Sequence, residues 1–239
     1  QATDYYVMLL GGESGYLELT DPNNRLIVTV GDGSTSPSPP PAGGSSNDYA
    51  DAVVTTIDGA PGGWTTYRMS VTLKGDATNA YTIYGKPAGS LTVPAAYQVA
   101  TPFGANTGGT NAAFWAVANN AALGFAQYDS WLTVGLTDGD AAGAISSIGI
   151  DWDSWTEDTD GALSVSDGVV FLDTPAEGAT GEDIVVAQLT LPTDVYSSTA
   201  RFVLQGNTAA GDPEAWQAPV EWTVDSRLLS RYSGPEPEP

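Results

Sequence analysis

The chemistry this sequence offers is concentrated in oxygen ligands and indole rings. Gly149-Ile-Asp-Trp-Asp-Ser-Trp155 sets two carboxylates beside two tryptophans. Asp138-Gly-Asp140 precedes it and Glu157-Asp-Thr-Asp-Gly161 follows it. Hard oxygens at such short spacing suit calcium, which takes about 6–8 oxygen ligands, loop carbonyls included. The candidate ligands are Asp138, Asp140, Asp151, Asp153, Asp158 and Asp160. No complete twelve-residue EF-hand loop is present, and the same Asp and Gly residues also build hairpin turns. Trp152 and Trp155, flanked by these acids, suit a sugar: an indole is a flat apolar platform, and carboxylates accept hydroxyl hydrogen bonds. Tryptophan equally fills sandwich cores, the place that Trp64, Trp115 and Trp131 fit best.

Nucleophilic catalysis finds little to work with. Histidine and cysteine are both absent, which removes the usual triads, thiolate metal sites and disulfides. No Gly-x-x-x-x-Gly-Lys-[Ser/Thr] phosphate loop occurs. A carboxylate-only glycoside hydrolase would need two carboxyl groups about 5–10 Å apart, which sequence cannot reveal. Gly149–Trp155 partly resembles the Asp-x-Asp-x-Glu strand of the family 18 chitinases. In that family the terminal Glu is the general acid, and here Trp155 stands in its place. The alternating helices of a (β/α)₈ barrel are also missing. The expectation is a non-enzymatic protein.

The charge excludes further classes. Lys and Arg number 7 against 29 Asp and Glu, a net charge of −22. Such a surface repels phosphate backbones, and no basic cluster exists to hold nucleic acid. No run of about 18 apolar residues occurs, so no membrane insertion is expected.

The elements that must position these residues read as strands. The expected strands of the body are 53–57, 65–73, 80–84, 91–93, 131–136, 145–150, 169–172, 184–191, 200–205 and 220–224. Gly, Asp, Pro and Asn clusters separate them. Many short strands at this spacing predict an all-β antiparallel sandwich, jelly-roll or immunoglobulin/cohesin-like. Ala-rich 111–124 resists that reading. It fits a short helix near 111–123 with Thr110 or Asn111 as N-cap, ended or broken by Asn119-Asn120 and Gly124. Trp64–Asp76 and Trp131–Asp140 each place a Trp before a strand and Gly-Asp after it, as related sheets of one sandwich would.

Around the body, 51–226, composition defines three further segments. Residues 1–33 form an N-terminal strand segment. Residues 34–50 are a Pro/Ser/Gly-rich linker, and 227–239 are a Pro/Glu spacer. Ser36-Pro-Ser-Pro-Pro-Pro41 favours polyproline II. It is similar in composition to the hydroxyproline-rich linkers of algal and plant cell-wall glycoproteins. The resemblance implies hydroxylation and O-glycosylation across Ser36, Pro37, Ser38, Pro39, Pro40 and Pro41. Residues 145–206 are similar in style to the cohesin-like modules of extracellular scaffolds.

The functional expectation is an extracellular structural or adhesive module of a coat, wall or filament, with self, matrix proteins or glycans as partners. The alternative is a carbohydrate-binding module, with calcium as its candidate cofactor. Tyr5, Val7 and Leu9 lie in a segment apolar enough to need burial, and a two-stranded ribbon is marginal alone. Strand exchange with a neighbour would cover it. Arg227 and Arg231 would then dock on an acidic surface.

Overall fold

The computed structural model describes residues 43–140, 142–193, 198–209 and 215–224. The expected N-terminal strands with Tyr5, Val7 and Leu9, the Ser36–Pro41 tract, and Arg227 and Arg231 lie outside the described residues.

Among the described residues, fourteen strands and one short α-helix follow in order. They are β1 (Gly43–Gly44), β2 (Ala50–Ile57), β3 (Trp64–Leu73), β4 (Thr82–Tyr84), β5 (Leu91–Val93), α1 (Trp115–Ala118), β6 (Asn119–Asn120), β7 (Gly124–Phe125), β8 (Trp131–Leu132), β9 (Ile145–Ile148), β10 (Leu163–Val165), β11 (Val169–Leu172), β12 (Ile184–Pro192), β13 (Ser198–Gly206) and β14 (Trp216–Val224). The larger sheet runs β1-β14-β13-β4-β11-β9, with β5 also on β13 and β10 on β5. The smaller sheet runs β2-β3-β12-β8. All these pairings are antiparallel. The expected all-β antiparallel sandwich is what the chain forms.

Period-two alternation explains the long strands. In β14, Trp216, Ala218, Val220, Trp222 and Val224 are buried, while Gln217, Pro219 and Glu221 are exposed. Alternation of this kind buries one face and wets the other. Pro219 interrupts β14 without cost to a neighbour, because β1 reaches only Trp222 and Thr223. A proline is tolerated at such an edge. Opposing residues Tyr67, Met69, Val71, Leu189 and Leu191 complete the core from the smaller sheet.

The structure redraws two boundaries. Gly43 and Gly44, assigned by composition to the linker, pair with Thr223 and Trp222 as an edge strand. Asn47 then caps the turn into β2, its side-chain oxygen accepting from the N–H groups of Tyr49 and Ala50. The expected helix is shorter than its alanine content suggested. A 3₁₀ turn, Ala112–Phe114, runs into the four residues of α1. Asn111 is the N-cap, accepting from Ala113 N–H. Asn119-Asn120 ends the helix by entering a small hairpin with β7. The two Trp-strand motifs belong to one sheet rather than two: β3 and β8 flank β12.

Candidate functional site

Two polar arrangements stand out, one buried and one open. The buried one lies under residues 94–131, which cross the outer face of the smaller sheet. Outward residues of that sheet would ordinarily be wet. Here Thr66, Ser70, Gln188 and Thr190 are all buried. Thr66, Gln188 and Thr190 find partners in one another or in the crossing segment. Gln188 Nε2 donates to the carbonyls of Gln127 and Asp129, at 3.0 and 2.8 Å. Its Oε1 accepts from Arg68 Nη2 at 2.7 Å, and the Arg68 guanidinium lies over the Trp131 ring. Thr190 N–H donates to Ser130 Oγ, and its hydroxyl pairs with that of Thr66.

Asp129 anchors this seam. It is 1% exposed, and its carboxylate accepts from the N–H groups of Val99, Ala105 and Ser130. One side chain thereby fixes the 99–105 turn to the sheet. Burial pushes its carboxyl up to about 7, while the three backbone N–H bonds pull the other way. Gly104 completes the packing: a Cβ there would fall on the Val99 carbonyl oxygen. Burial likewise lowers the pKa of Arg68. The hydrogen bonds of the seam join the crossing segment to the sheet.

The open arrangement lies on the outer face of the larger sheet. Strand register places Gln217, Gln205 and Thr82 in one cross-strand row, on β14, β13 and β4. The adjacent row holds Val203, Tyr84, Val169 and Ile148. Together with Gly85, Asp167 and Gly168, these residues, Val203 excepted, line a groove of about 360 Å³. A hydrogen-bond chain crosses it. The Tyr84 hydroxyl donates to Gln217 Oε1 at 2.6 Å, Gln217 Nε2 to Gln205 Oε1 at 3.3 Å, and Gln205 Nε2 to the Tyr81 hydroxyl at 2.8 Å. Each amide keeps a spare proton and a spare lone pair. Burial raises the Tyr84 pKa, with a smaller push from Tyr81, so the phenol stays neutral and able to donate. Ile148, 65% exposed, provides apolar surface at the far end of the row.

The sequence-predicted site residues are distributed differently. Trp155 is a core residue, 2% exposed, with its indole N–H given to the Pro94 carbonyl. It offers no face to a sugar, which corrects the expectation for that residue. Trp152 is half-buried, packs on Trp155 at 6.2 Å between ring centroids, and donates to Ser147 Oγ. Trp152 keeps part of its ring exposed beside the buried Trp155.

Among the described residues no three Asp or Glu side chains gather as a metal would need. Asp140, at φ 44°, spends its carboxylate on the N–H groups of Ala144 and Ile145. Asp151 and Asp153 share the turn closed by the Asp151 carbonyl and Ser154 N–H, and Asp158 and Asp160 share the turn closed by the Asp158 carbonyl and Gly161 N–H; Asp138 lies apart from both in the chain. The groove residues were missed because Thr82, Tyr84, Gln205 and Gln217 are unremarkable within their strands. Only register brings them together.

The fold is an all-β sandwich whose larger sheet carries a polar groove with one acid, Asp167, in its lining. No protein-family model, curated protein or solved structure matches the chain.

Proposed function

We propose that this chain is a non-enzymatic adhesive module of an extracellular coat or wall, and that its ligand is a neutral glycan held on the outer face of the larger sheet. The observation that carries the reading is the Tyr84–Gln217–Gln205–Tyr81 chain of hydrogen bonds along the groove. Two amides and two phenols in fixed orientation match sugar hydroxyls, which both donate and accept. A shallow groove with apolar Val169 and Ile148 beside them suits the C–H face of a pyranose. The one acid lining it, Asp167, and the net charge of −22 disfavour uronic or sulfated sugars. The Pro-rich flanks fit a module tethered in a matrix.

Screening the full chain on a glycan array, with and without chelator, tests this. Binding to neutral glycans is expected, weakened at least tenfold by Tyr84→Ala and by Gln217→Ala, with melting temperature little changed. Both positions lie on the solvent face. Loss of binding in Trp152→Ala, with Tyr84→Ala unaffected, would move the site to the acidic loops instead. A requirement for calcium in the same assay would assign Asp138, Asp151, Asp153, Asp158 or Asp160 a ligand role.

A further inference from the structure

The smaller sheet ends on β2, and β2 carries an open ladder. Register between β2 and β3 is unbroken from Ala50↔Leu73 to Ile57↔Thr66. The direction of each backbone group follows from the turn before it. The Ala50 carbonyl accepts from Asn47 N–H, and Ala52 N–H donates to the Ser45 carbonyl, both on the side away from β3. Period two then turns the N–H and C=O groups of Val54 and Thr56 to that same side. Ser45 and Ser46 cover the ladder as far as Ala52. Beyond it, among the described residues, nothing bonds to it. The open window runs from Val53 to Ile57, where β2 stops at the Asp58-Gly59 turn.

The sequence of the window is Val-Val-Thr-Thr-Ile. It has no charge in a chain of net −22, no proline and no bulge, the devices that normally guard a sheet edge. It is also self-complementary. An antiparallel copy centred on Thr55 sets Val54 opposite Thr56 of the copy, and Thr56 opposite Val54. These are the two residues on each edge with free backbone groups, and the pairing makes four N–H···O bonds. Val53 and Ile57, which share the outer face with Thr55, fall opposite Ile57 and Val53 of the copy. Apolar β-branched pairs of this kind stabilise a sheet. Both ends of the window are closed, by Ser45 at one and the Gly59 turn at the other, so no other register uses all four groups.

We infer that the β2 edge is an interface for a second copy of this chain, joining two four-stranded sheets into one continuous eight-stranded sheet about a twofold axis at Thr55. The copies repel through their net charge, so the pairing strengthens as salt screens them. It gives the assembly two outer faces of the larger sheet, and any glycan bound there is held with avidity.

Mass measurement of the full chain by light scattering and sedimentation, across concentration and at low and high salt, tests the inference. A mass near twice 24.6 kDa is expected, with dissociation on dilution and tighter association at high salt. Thr56→Pro removes an outward N–H that β3 does not use. Thr55→Lys sets like charges opposite each other at the axis. Each is expected to weaken dimerisation at least tenfold while circular dichroism and melting stay those of a folded sandwich. Mixing Thr55→Lys with Thr55→Glu is expected to restore a dimer. A full chain that stays monomeric at every concentration, or a dimer that survives Thr55→Lys, overturns it. Should Thr56→Pro fail to fold, the Lys/Glu mixture decides alone.

Discussion

Asp129→Asn is expected to flatten the dependence of stability on pH between about 4 and 7, and to stand higher relative to wild type at pH 7.5 than at pH 4. The carboxylate binds three backbone N–H groups. An amide, like the neutral carboxyl, keeps one acceptor oxygen and carries a donor at the other position, so it replaces the protonated form with little loss; only the ionised carboxylate accepts at both oxygens. The pH effect has a definite sign. Burial raises the carboxyl from 3.8 to about 7. Between those values the folded chain holds a proton that the unfolded chain has released. The group's contribution is therefore fully present below the unfolded value. It is lost as pH rises through about 7. At roughly 1.4 kcal/mol per pKa unit, this swing reaches at most about 4 kcal/mol. Urea denaturation of wild type and Asp129→Asn at pH 4, 5.5 and 7.5 measures it. A stability difference that is constant, or that grows with pH, would show that the carboxylate is ionised throughout.

Trp222→Ala should be the more damaging change near neutrality. Trp222 is fully buried and packs on Phe202 at 5.4 Å. Its indole N–H donates to the Ser70 carbonyl of β3 at 3.0 Å, so one side chain from the larger sheet is bonded to the backbone of the smaller. Deleting a buried aromatic costs about 3–5 kcal/mol, through lost transfer free energy and the cavity left behind. Trp222→Phe keeps most of the apolar volume and leaves the Ser70 carbonyl without this donor, at about 1–2 kcal/mol. Chemical denaturation checks both. The midpoint should fall at unchanged slope for the Phe variant and fall furthest for Ala. Equal losses would place the energy in the hydrogen bond rather than in packing.

Several elements could be read directly from residue order. The 91–93 and 169–172 strands occur where expected, and 65–73 and 184–191 are each extended by one residue at an end. β-Branched runs bounded by Gly, Asp and Pro leave a short segment few alternatives. Gly43-Gly44 could not be read this way. Glycine has no strand preference, and those residues are extended because β14 presents a free edge to them. Leu163–Val165 was also missed: it is only three residues long and pairs with an equally short β5. Trp155 shows the limit for sites. Flanking acids suggested an exposed ring, yet the 3₁₀ turn at Trp152–Ser154 lets the chain turn its indole into the core while the acids stay in water.

Sequence by itself determined the class: an acidic all-β chain with no His or Cys, built of alternating strands whose apolar faces must meet. That information is local, since period two and turn residues act over a few positions. Tertiary structure decided everything that depends on register. It gathered Thr82, Tyr84, Gln205 and Gln217, far apart in the chain, into one groove. It buried Gln188, Thr190 and Asp129 beneath a segment that is uncharged from residue 87 to residue 128. Among the described residues, it left the Val54 and Thr56 backbone groups open at an edge. A side chain's own chemistry is written in the sequence. Which neighbours desolvate it, satisfy it or leave it exposed is set by contacts that close only when the sheets pair.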